Sequence, residues 1–102
     1  VVYPMNINQI KRKAFEHRDS LKKLGVKKIG FFGSVVRDEA TEDSDIDIMV
    51  IFEPGKKTFD NFMDLHDELE NLYDKKVDLV TPESISKYIL PYVEDEVVYE
   101  EL

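Results

Sequence analysis

The sequence predicts a mixed α/β fold, a small mixed β-sheet with helices packed on it in the order αββαβα. Three observations carry this reading. Two apolar runs, Val26–Phe32 and Asp45–Phe52, have the length and residue types of strands and are separated by about twelve residues. Two long segments, Asn6 to Leu24 and Thr58 to Tyr73, carry helical spacing on either side of them. A third short apolar run, Val77 to Val80, follows the second helical segment.

In the first segment Ile7, Ile10, Ala14, Leu21 and Leu24 repeat at helical intervals. Asn6 suits an N-cap and Gly25 a left-handed stop after the last turn. The strand Val26–Phe32 ends at Gly33-Ser34, after which Val35–Glu39 suits one helical turn and Ala40–Ser44 a polar loop. Val35 and Val36 fit either solvent or a neighbouring subunit. Glu53-Pro54-Gly55 closes the second strand as a turn. In the second helix Phe59, Phe62, Met63, Leu69 and Leu72 are the expected inner face. Thr81-Pro82 is expected to open a further helix, which Pro91 interrupts. The tail Tyr92–Leu102 reads as helical again, with Val93, Val97 and Val98 inward. The first two strands, joined by a short link, should be antiparallel. The second and third, joined through a helix, should be parallel.

Length and composition bound the function. At 102 residues the chain supports one core, so residues 1–102 are expected to form a single domain. Apolar content of 42%, with six Phe and five Tyr, excludes a disordered chain. The absence of cysteine removes disulfides, thiolate metal sites and thiol nucleophiles. No apolar run approaches the roughly 18 residues of a membrane span, so a cytoplasmic location is the expectation. A net charge of −8 argues against direct nucleic-acid binding, which needs a basic stripe. Lys22, Lys23, Lys27 and Lys28 form a modest basic cluster beside a helix end, where cations are favoured in any case. The chain opens on Val1 rather than methionine, with Met5 close behind.

The chemistry concentrates between Gly33 and Asp47, GSVVRDEATEDSDID. Asp45 and Asp47 alternate with Ile46, so both carboxylates leave one face of the strand, about 6–7 Å apart. Ile46, Ile48, Val50 and Phe52 line the opposite face. Two like charges on a buried strand are costly unless a cation sits between them. The bland alternative is a pair of solvated acids at a loop–strand junction. Asp78 weighs against it, as an isolated charge inside Val77–Val80 on the alternate face from Val77 and Leu79. If the two strands are neighbours, three carboxylates come within reach of a pair of divalent metals. Gly33 and Ser34 leave the first strand where backbone N–H groups and a hydroxyl could approach a phosphate. Arg37, three residues beyond Ser34, suits either phosphate contact or a surface ion pair with Asp38 or Glu42. Glu39, Glu42, Asp43, Glu94, Asp95, Glu96, Glu100 and Glu101 read as solvated acids, and His17 and His66 as isolated residues.

Phe32-Gly33-Ser34, the ten-residue gap, Asp45-Ile46-Asp47 and the later Asp78 resemble the DNA polymerase β-like nucleotidyltransferase superfamily. Within it, the spacing and short chain are similar to the minimal nucleotidyltransferases, the antitoxins of two-gene modules. The resemblance implies Mg²⁺, two ions, held by Asp45, Asp47 and Asp78, with Asp78 also helping to deprotonate an acceptor hydroxyl. It implies that Gly33 and Ser34 hold the triphosphate of ATP. The acceptor it implies is a tyrosine of a small helical HEPN-type toxin, which would receive AMP. The sequence departs from the family pattern at Asp38, where members commonly carry glycine; aspartate tolerates a left-handed backbone better than most residues. Two alternatives stay open: a non-catalytic antitoxin-like module that neutralises a partner by binding, and a small-molecule (antibiotic-type) nucleotidyltransferase.

Overall fold

The computed structural model of the chain describes residues 5–102; the opening Val1–Pro4 lies outside the described residues. The N-terminal helical segment is two helices, α1 (Ile7–Glu16) and α2 (Arg18–Lys23), and not one. Asn6 caps α1 by accepting from Gln9 N–H, while Gln9 reaches back to Asn6 N–H, both at 2.9 Å. The break falls at His17, whose ring Nδ1 lies 2.9 Å from the Lys13 carbonyl and competes with the helical ladder. Gly25 stops α2 at φ 86°, the left-handed region where glycine is favoured.

Strands β1 (Val26–Phe32) and β2 (Ile46–Phe52) pair antiparallel, and β3 (Val77–Val80) joins β2 in parallel. Helix α3 (Phe59–Tyr73) makes the crossover between β2 and β3 and begins at the Thr58 cap. Thr81-Pro82 opens only a 3₁₀ turn, Pro82–Ser84. There the Ser84 hydroxyl donates to the Thr81 carbonyl, a local bond that competes with helix continuation. Pro91 does not interrupt a helix. It stands in the first turn of α4 (Leu90–Glu96), where its missing N–H costs nothing. The tail corrects the helical expectation most strongly. The chain turns extended at Val97, and Val98–Glu101 forms β4, which pairs antiparallel with β1. The sheet therefore has four strands, in the order β3-β2-β1-β4.

Ile29 and Phe31 of β1 and Ile46, Ile48 and Val50 of β2 face α1, α2 and α3 and form the core with Ile10, Ala14, Leu21, Leu65 and Leu69. Val35 joins this core, and Val36 is half-buried against it. On α3 the buried stripe is Leu65, Leu69 and Tyr73, flanked by Phe62 and Leu72. Phe59 and Met63, expected inside, are exposed: the stripe runs out before the first turn, and Met63 lies off its axis. Among the described residues no helix is long and apolar enough to cross a membrane.

Candidate active site

The reverse face of the sheet carries the charged groups. Asp47 stands directly opposite Asp78 in the parallel β2–β3 register, and Ile46 opposite Val77. Cross-strand partners project to the same side, so Asp47 and Asp78 share one face while the flanking Ile46, Ile48, Val77 and Leu79 are buried on the other. Asp47 is half-buried, whereas Asp45 and Asp78 are exposed. Burial pushes the Asp47 carboxyl above the usual carboxylate range, the charges of Asp78 and then Asp45 push it further, and Arg37 works against them. Asp45 and Asp78, both found in the sequence, thus each act on Asp47. They do not form a preassembled cage: among the described residues no three His, Cys, Asp or Glu side chains stand together ready to hold a metal.

Gly33 joins this group through its backbone. Its φ is 78°, and a Cβ there would overlap Asp47 Oδ2 and lie 3.0 Å from Cγ. Only glycine brings the end of β1 this close to the Asp47 carboxylate. The 3₁₀ turn Gly33–Val35 follows, closed by Val36 N–H and Arg37 N–H donating to the Gly33 carbonyl, with Ser34 half-buried within it. Asp38, at the position where glycine is common, has φ 58° and is exposed, so it holds the left-handed backbone without facing the acids as a buried charge.

Arg37 pairs with neither Asp38 nor Glu42. Its Nε donates to Glu39 Oε2 at 3.3 Å and its Nη1 to Glu96 Oε1 at 2.6 Å. Glu96, assigned from sequence to a wet helix face, is instead half-buried and holds Arg37. Its partner lies 59 positions away, and no periodicity within the tail signals that. A cavity of about 190 Å³ lies at the opposite end of β2, lined by Val50 to Gly55, Lys57 and Thr81 to Glu83, away from these acids.

The oxygen-only donor set of Asp45, Asp47 and Asp78 suits a hard cation such as Mg²⁺, and the repulsion that Asp78 and Asp45 exert on Asp47 is what a cation would relieve. This is the donor chemistry of phosphoryl-transfer enzymes. The family model for the nucleotidyltransferase domain matches residues 12–100. The chain belongs to this family. The nucleotidyltransferase is 41% identical over 96 residues to protein adenylyltransferase MntA of Thermococcus cleftensis, covering 93% of this chain and 96% of that one. Among solved structures it is similar to a candidate minimal nucleotidyltransferase, with a TM-score of 0.74 and 30% identity over 92% of this chain and 95% of the other. It is also similar to a toxin–antitoxin solved with AMP-PNP, with a TM-score of 0.68 and 26% identity over 87% of this chain and 70% of that one. The mixed four-stranded sheet is thus the minimal nucleotidyltransferase fold.

Proposed function

We propose that this nucleotidyltransferase is a protein adenylyltransferase that moves AMP from ATP to a tyrosine hydroxyl of a small helical HEPN-type toxin and so acts as its antitoxin. The observation that carries the reading is the facing of Asp47 and Asp78 across β2 and β3, with Gly33 pressed against Asp47. The adenylyltransferase relative from Thermococcus cleftensis supports the choice of AMP, and the toxin–antitoxin structure with AMP-PNP supports the choice of nucleotide and partner.

In this reading Asp45, Asp47 and Asp78 hold Mg²⁺, with two ions expected. Bound there, the metal would lower the pKa of the attacking hydroxyl and neutralise charge on the leaving oxygens. Asp78, exposed at the edge strand β3, accepts the hydroxyl proton from an incoming acceptor. A bond forms from the acceptor oxygen to the α-phosphorus, the bond to the bridging oxygen of the β-phosphate breaks, and pyrophosphate leaves. The Gly33–Ser34 backbone and the Ser34 hydroxyl line the phosphate side, with Arg37 as the cation nearby. An acidic chain would bind a polyanion here because a metal held by its own acids would offset their charge. The cytoplasm, where ATP is available, is the compartment this reading requires.

The test is intact-mass analysis of the toxin after incubation with the antitoxin, ATP and Mg²⁺. Addition of AMP on a tyrosine supports the reading. A toxin of unchanged mass, still neutralised in cells, would assign the chain to neutralisation by binding alone.

A further inference from the structure

The guanidinium of Arg37 is gripped on two edges by carboxylates of unequal standing. Glu39 is two residues away on the same exposed loop, at 3.3 Å, with its side chain 64% exposed. Glu96 meets Arg37 at 2.6 Å, with its side chain only 27% exposed. Glu96 is also placed by the fold, because it is the last residue of α4 and the chain then enters β4, locked to β1 through Lys28↔Glu101 to Phe31↔Val98. The end of α4 is fastened from beneath as well. Gly30 leaves room for Val97 and the Tyr99 ring, which a Cβ would meet at 2.9 Å or less, and Lys28 Nζ stands 4.3 Å over the same ring. A short, fold-defined carboxylate on one edge of an arginine fixes the plane of its fork. The Nη2 group makes no hydrogen bond among the described residues, so donors remain for another anion.

We propose that Glu96 is a positioning residue for nucleotide binding, holding Arg37 at the margin of the carboxylate face so that its remaining donors meet the phosphates of the nucleoside triphosphate. The proposal rests on the nucleotidyl-transfer reading of Asp45, Asp47 and Asp78, and it gives β4 and α4 a part in the site. Glu96 touches neither reacting atom; it acts through Arg37. Nucleotide affinity and KM should therefore move more than kcat.

The experiment is a double-mutant cycle on Mg·ATP affinity, read by titration calorimetry on the intact chain, with Arg37→Gln, Glu96→Gln and the double variant. Glu96→Gln should weaken binding about 5-fold. It should have no further effect in the Arg37→Gln background, because the effect runs through the arginine. Glu96→Asp, which keeps the charge, should recover part of the loss, and Glu39→Gln should change binding less than about 2-fold. Melting temperatures within a few degrees of the wild type separate lost positioning from lost folding. Wild-type-like or tighter binding by Glu96→Gln overturns the role of Glu96, as does an equal loss with and without Arg37. A wild-type chain that binds no Mg·ATP overturns the reading of the site itself, and this proposal with it.

Discussion

At the scale of single residues, the proposed site holds a carboxylate whose charge costs the fold stability. Asp47 is half-buried beside two like charges, and its carboxyl is held above the usual range by burial, Asp78 and Asp45. The folded chain therefore holds this proton more tightly than the unfolded chain does. From the ordinary value of 3.8 upward, through the raised folded value, stability is lost as pH rises. The melting temperature of the metal-free wild type, minus that of Asp47→Asn, should accordingly fall as pH goes from about 3 to 7. A difference that rises with pH would contradict the assignment. Gly33 sets the opposite kind of limit. Gly33→Ala should lose about 1–2 kcal/mol in urea unfolding from its positive φ. It should also lose most transfer activity, because the new Cβ displaces the Asp47 carboxylate. Both residues were legible in the sequence, since a Gly-Ser at a strand end and an Asp-x-Asp on the next strand are local patterns. Glu96 was not, because an ion pair across 59 positions leaves no local trace.

At the scale of elements, the first three strands and the α3 crossover follow from short-range rules of length, alternation and capping. The tail does not. Val97, Val98 and Tyr99 are two β-branched residues and an aromatic with strand preference, but the acids around them also suit a solvated helix face. Pairing with β1 decides in favour of β4, and tertiary contact, rather than propensity, is what the sequence could not display. The strand can be tested through its anchor. Tyr99 lies across Gly30 and under Lys28, so Tyr99→Ala should destabilise by about 1–3 kcal/mol in denaturant unfolding. A Tyr99→Ala chain as stable as the wild type would mean that β4 adds little to the sheet. The division of the first helix at His17 was hidden for a similar reason, because the apolar spacing runs across the break without interruption.

At the scale of the whole molecule, the sheet separates two tasks. One face packs against α1, α2 and α3 and stores the apolar core, while the other carries Asp47 and Asp78 near Gly33 and the Arg37–Glu96 pair. Asp45 and Asp78 are exposed, which suits an acceptor delivered on the surface of another protein. In cells that produce the toxin, the wild-type chain should restore growth, whereas a chain with Asp45→Asn and Asp47→Asn should form the complex without restoring it. The most direct measurement is transfer of label from α-phosphate-labelled ATP to the toxin, with Mg²⁺, by the wild type and by that double variant. The account predicts labelled toxin with the wild type and a loss of about 100-fold or more with the variant. Equal labelling by the two proteins would contradict it.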